Sequence, residues 1–128
     1  MTKLLRLTLS KIKYGGDSIG DDIRIEIECL DQVFGMDKKI QNGAEVALNT
    51  EIGKFFFDQT TTALPLTIRI IEQDLVFNDM GSKQVKIKVD LRDTSPQTST
   101  YDIPVQELRG LIPGRATAIF TLTIEALV

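Results

Sequence analysis

Residues 66–81 read LTIRIIEQDLVFNDMG. Leu66, Ile68 and Ile70 fall on one face of an extended chain, and Thr67 and Arg69 on the other. That period of two is the mark of a strand with one buried side. The strand then delivers Glu72, Asp74, Asn78 and Asp79 to one end of the domain, and Gly81 closes the segment. Between the acids lies Leu75-Val76-Phe77, an apolar triplet where a loop tip is normally polar. Oxygen-rich side chains around an apolar tip make this the stretch that suggests chemistry as well as folding.

Outward from it, the same alternation recurs. Leu5, Leu7 and Leu9 alternate with Arg6, Thr8 and Ser10 in a strand over residues 3–13. Ile23, Ile25, Ile27 and Cys29 alternate with Arg24, Glu26 and Glu28. Between them, YGGDSIGDD (14–22) carries three Gly and three Asp and reads as a loop. Residues 33–40 form a weaker strand whose Lys38-Lys39 end suits an edge. Asn42-Gly43 is a turn, residues 44–48 a short strand, and Lys54-Phe55-Phe56-Phe57 an aromatic one. Pro65 marks the start of the central strand. Val85, Ile87, Val89 and Leu91 alternate in the next. Residues 100–105, with Pro104, read as an edge strand, 105–109 as one helical turn, and Pro113-Gly114 as a turn. Residues 116–127 alternate Ala118, Phe120, Leu122, Ile124 and Ala126 against Thr and Glu. About eight short strands without an amphipathic helix predict an all-β, eight-stranded antiparallel sandwich formed as one domain by residues 1–128.

Composition limits the function. The 128 residues are 42% apolar and 26% charged, enough for a packed core. A net charge of -3 argues against nucleic acid, which calls for excess Lys and Arg. The chain has no His, which removes Ser-His-Asp and Cys-His catalysis and the commonest zinc ligand. Its one Cys, Cys29, lies on an apolar face and reads as core. No leader-like apolar stretch follows Met1, and no run is long enough to cross a bilayer. Tyr14-Gly15-Gly16 and Gly20 lack the strand-to-helix context of a phosphate loop. Paired carboxylates without Trp, His or cleft-forming loops make a poor glycosidase, so the expectation is a non-enzyme.

In a sandwich, loops gather at two ends. The 14–22 loop and the end of the central strand at one pole would bring Asp17, Asp21 and Asp22 beside Glu72, Asp74 and Asp79. Six to eight hard oxygens on flexible loops are what calcium selects. The plain alternative is that Asp and Gly are good turn formers. Leu75–Phe77 are either an exposed interaction tip or, with Phe77, part of the core. Lys38, Lys39, Lys83, Lys86 and Lys88 face either acidic headgroups or water.

The stretches IKYGGDSIGDDIRIEIE and IRIIEQDLVFNDMG resemble the C2 domains of protein kinase C and synaptotagmin. The resemblance implies a C2-like Greek-key sandwich, peripheral to membranes or cytoplasmic. It implies calcium held by Asp17, Asp22, Glu72, Asp74 and Asp79, and Leu75, Val76 and Phe77 in contact with an anionic phospholipid membrane. Three departures stand out. Glu72 replaces the family's Asp. Met80-Gly81 follows a shorter gap than the family's Ile-Gly. Asp22-Ile23-Arg24 stands where the family has Asp-Pro-Tyr. The other reading is a calcium-independent protein-interaction or structural domain within a larger protein.

Overall fold

The computed structural model describes residues 2–74, 78–109 and 112–128, the side chains at 109 and 112–115 excepted. Eight strands follow in order: β1 (Lys3–Gly16), β2 (Asp22–Cys29), β3 (Gln32–Lys39), β4 (Glu45–Phe57), β5 (Thr61–Glu72), β6 (Asp79–Asp90), β7 (Gln97–Arg109) and β8 (Ile112–Leu127). They form two four-stranded antiparallel sheets, β4-β1-β8-β7 and β3-β2-β5-β6. The expected eight-stranded antiparallel sandwich is therefore the fold.

The core is what the alternation predicts. Leu5, Leu7, Leu9, Ile23, Ile25, Ile27, Leu66, Ile68, Ile70, Phe120, Leu122 and Ile124 are all buried between the sheets. Cys29 is buried among them, and burial pushes its thiol up to about 11, so it is an inert core side chain. Pro65 lies inside β5, not at its start. β2 pairs with β5 only as far as Leu66, so beyond that point the missing Pro65 N–H leaves no ladder bond unmade on that side.

Other boundaries differ from the sequence reading, for one recurring reason: bulges shift the alternation. β1 skips a residue between Leu9 and Lys11 in both of its ladders. Beyond that bulge the buried phase changes to Ile12 and Tyr14, and the strand continues to Gly16. The loop is thus only residues 17–21. Residues 44–48 and 54–57 are not two strands but parts of β4, which also slips register and holds Asn49 at φ 47°. Residues 105–109 are not a helical turn, because β7 pairs with β8 as far as Arg109 opposite Ile112. Pro113-Gly114 likewise lies within β8. The Asn42-Gly43 turn is present, with Gly43 at φ 88°.

Candidate functional site

The end of β1, the start of β2, the end of β5 and the start of β6 all meet at one pole. β5 and β6 pair Glu72 with Asp79, and β2 pairs Ile23 with Glu72. Asp17 follows β1, and Asp22 opens β2. The acids singled out from sequence therefore share one rim. Asp22, Glu72 and Asp74 line one open recess there with Ile19, Gly20 and Gln73. Leu75, Val76 and Phe77, expected to contact membrane, lie outside the described residues.

The side chain that shapes this rim is one the sequence reading placed in a loop. Tyr14 is fully buried, and its ring packs on Phe120 with centroids 4.4 Å apart. Its hydroxyl donates to the Gly20 carbonyl at 2.8 Å and accepts from the Ile19 N–H at 2.7 Å. One buried hydroxyl thus satisfies both a donor and an acceptor of the 17–21 loop. The signal lay in Lys11-Ile12-Lys13-Tyr14, which alternates in the phase opposite to Leu5, Leu7 and Leu9. Gly20, at φ 130°, passes so close over the Glu72 carboxyl that a Cβ there would collide with it. Only glycine suits that combination.

Glu72 and Asp79 continue the inward phase of their strands, so they face the core end where an apolar pair would otherwise sit. They are 6% and 3% exposed. Burial pushes Glu72 up to about 7, reinforced by Asp79, Asp74, Asp22 and Asp21. Burial also raises Asp79, while a hydrogen bond from the Leu108 N–H opposes the rise and Glu107 and Asp74 add to it.

Sharing a rim does not make these acids a ligand set. Among the described residues, no group of three Asp, Glu, Cys or His side chains could hold a metal ion. Two of the acids are held by backbone hydrogen bonds and a third faces an exposed lysine. Asp17 Oδ2 accepts from the Thr117 N–H at 3.0 Å, tying the loop to β8. Asp79 Oδ1 accepts from Leu108 N–H at 2.6 Å, turned toward β7. Asp22 faces Lys39 at 3.7 Å. The Asp74 N–H donates to Asn78 Oδ1 at 3.0 Å. Three of the five carboxylates are engaged with β8, β7 and β3 respectively.

Two glutamines that the sequence reading passed over hold the sheets together at their lateral sides. Gln32 on β3 donates from Nε2 to the Lys54 carbonyl at 2.7 Å and accepts from the Lys54 N–H at 3.3 Å. Gln97 on β7 donates to the Asp90 carbonyl at 2.8 Å and accepts from the Asp90 N–H at 2.9 Å. Each carboxamide pairs with one residue's backbone as a neighbouring strand would. No periodicity marks such a residue, because its partner lies in the other sheet.

The β3/β4 side also collects exposed apolar side chains. Val33 is 73% exposed, Phe56 69% and Leu30 60%. All lie within two residues of Gln32 or Lys54, at the end opposite the acids. Phe56 pairs across β4/β1 with Leu4. Phe34, Met36, Val46 and Leu48 are partly buried against the core behind this side.

No protein-family model matches the chain, and no curated protein matches it. The sandwich is the fold that the C2 resemblance implies, but many unrelated families share such a fold, and fold alone does not assign a function. Among the described residues no helix is long and apolar enough to cross a membrane.

Proposed function

We propose that this chain is a non-catalytic, calcium-independent protein-interaction module that works through its β3/β4 side within a larger assembly. The observation that carries the reading is the exposure of three apolar side chains along this side: Leu30 in the β2–β3 turn, Val33 on the outer face of one sheet and Phe56 on the outer face of the other. Large apolar side chains this exposed support a surface that another protein covers, reached from both outer faces of the open side. The acidic rim supports the same reading, since three of its carboxylates already serve as internal hydrogen-bond or ion-pair partners. Photo-crosslinking from positions 33 and 56 in cells tests it. The expected result is a protein adduct that forms equally well with a calcium chelator present, while position 86 on β6 gives none. Adducts that need calcium, or that appear only with lipid, would overturn it.

The second reading is calcium-dependent binding to anionic phospholipid through the acidic pole, with Asp17, Asp22, Glu72, Asp74 and Asp79 around the ion. It is favoured by one observation, the convergence of these acids on a single rim. A cation there would offset the crowding that raises Glu72. Melting with millimolar calcium separates the readings. The interaction reading expects no shift. A rise of several degrees, lost in Asp74→Asn, would favour the second, and liposome co-sedimentation would then test its lipid part.

A further inference from the structure

Backbone donors at the acidic pole are spent on acceptors other than Glu72. The Ile19 N–H goes to the Tyr14 hydroxyl at 2.7 Å, the Gln73 N–H to the Asp22 carbonyl at 2.8 Å and the Leu108 N–H to Asp79 at 2.6 Å. The residue opposite Glu72 on β6 is Asp79, another acid. Glu72 is 6% exposed, and its carboxyl takes no hydrogen bond and no ion pair from the described residues. What exposure it keeps is at the recess that it lines. A carboxylate this deep is costly unless something brings it a positive charge.

The recess measures about 470 Å³, and Ile19, Gly20, Asp22, Gln73 and Asp74 complete its lining. Its walls are held in place. The Tyr14 hydroxyl pins Ile19 and Gly20, and the Gln73 N–H is bonded to the Asp22 carbonyl. Such a site is formed before its ligand arrives. Two features select the charge that fits it. Among the described residues no three acids converge as a divalent ion requires, so a single positive charge on an organic stem is the better match. Gly20 passes so close over Glu72 Oε1 that the loop covers that oxygen. A guanidinium fork needs both oxygens of a carboxylate, whereas an ammonium needs one. Ile19 is the apolar member of the wall, along which the methylenes of a stem can lie.

We propose that this recess binds a primary ammonium on an alkyl stem: Glu72 takes the charge through its uncovered oxygen, Asp22 accepts a second N–H, and Ile19 lies along the stem. The carrier is a lysine side chain of another protein or a free alkylamine. The site is at the acidic pole, away from Leu30, Val33 and Phe56, so it goes beyond the interaction reading and does not rest on it.

The test is a titration in chelator at pH 8, where Glu72 is ionised, followed by the amide signals of Gly20 and Gln73. Three probes are used: the capped peptide acetyl-Gly-Lys-Gly-amide, its arginine counterpart and n-butylammonium. The lysine peptide is expected to give saturable shifts below about 50 mM. The arginine peptide is expected to bind about threefold more weakly or worse. Glu72→Gln, which keeps the shape without the charge, weakens lysine binding about tenfold or more. Asp31→Asn removes the same charge in the β2–β3 turn at the opposite end and leaves binding unchanged. A lysine peptide that binds more tightly than n-butylammonium supports the site with a protein as carrier, and equal binding supports it with a free amine. No saturable shift up to about 50 mM, binding untouched by Glu72→Gln, or an arginine peptide that binds as tightly overturns the proposal. Calcium at about 1 mM that displaces the lysine peptide also overturns it, and returns the recess to the metal reading. Crosslinks from 33 and 56 are independent of all these results.

Discussion

On the β6/β7 side, four contacts tie one sheet to the other from rim to base. Asp79 accepts from Leu108, Gly81 packs on Pro104, Lys83 reaches Asp102, and Gln97 pairs with Asp90. On the β3/β4 side, Gln32 alone makes the equivalent side-chain bridge among the described residues. Both sides have a glutamine clamp, added to the apolar core that holds the two sheets together. The three added ties convert one side into a sealed wall and leave the other as a surface. The difference teaches that an edge can be shut by backbone proximity, which needs glycine, or left open and guarded by charge.

The largest expected effect breaks the sealed wall. A Cβ at position 81 would stand well inside contact distance of the Pro104 carbonyl and against Val105. Neither backbone can yield without parting β6 from β7. Gly81→Ala is therefore expected to cost about 3 kcal/mol, the upper part of the range for overpacking. At Gly53, on the open side, the nearest atom to an added Cβ is the Gln32 carboxamide, the far end of a flexible side chain, followed by the Phe55 ring. Gly53→Ala is expected to cost about 1 kcal/mol, close to the lower part of that range. Urea denaturation of both variants checks the ratio, and equal costs would erase the distinction between the sides.

Next in size is a pH effect confined to the sealed side. Glu72 sits opposite Asp79, the first tie of the wall, and holds its proton up to about 7 in the folded chain. The unfolded chain releases that proton near the ordinary carboxyl value of about 4.3. Between those values the folded state binds more protons, so stability falls as pH rises and the loss is complete above about 7. Asp79, also raised, acts in the same direction. Glu72→Gln removes the charge and is expected to gain about 2 kcal/mol at pH 8 in chelator, with no gain at pH 4. Denaturation at the two pH values decides it. A variant less stable at pH 8 would mean the Glu72 carboxylate is held by a favourable partner.

The strands themselves were readable because most obey a strict period of two over a single buried face. Ile23 to Cys29 and Ala118 to Ala126 bury the residues their alternation names. Legibility failed where a bulge changed phase, as between Leu9 and Lys11, which hid Tyr14 from a reading that took its glycines as loop. It failed again where turn-forming residues lie inside strands, as at Pro113-Gly114. For the site, the sequence correctly carried two distant acid runs to one rim. It could not say that Thr117, Leu108 and Lys39 would claim three of the carboxylates, because those partners are set by packing between elements. Glu72 and Asp79 did betray their burial, since both keep the inward phase of their strands.

Smaller again is the difference between the clamps. Gln97 and Gln32 each satisfy a backbone donor and acceptor, but the Gln97–Asp90 pair is part-buried and the Gln32–Lys54 pair exposed. Water can replace an exposed partner and cannot easily reach a buried one. Gln97→Leu is expected to cost about 1.5 kcal/mol and Gln32→Leu about 0.5 kcal/mol. Amide exchange of Asp90 and of Lys54 checks which backbone is freed. A larger loss at Lys54 would make the open side the better fastened of the two.

The smallest effect is the one that separates folding from function. Val33 and Phe56 are mostly exposed, so replacing them removes little buried area. Val33→Thr keeps the branched side chain a strand favours, and Phe56→Thr keeps a branched residue in β4. Together they are expected to change stability by less than about 0.5 kcal/mol, as surface substitutions do. If these side chains belong to an interface, the same pair of changes abolishes the crosslinks made from a photo-residue at position 30 while the melting curve stays where it was. A loss of stability above about 2 kcal/mol would instead make them props of the open edge, and their exposure would then need no partner to account for it.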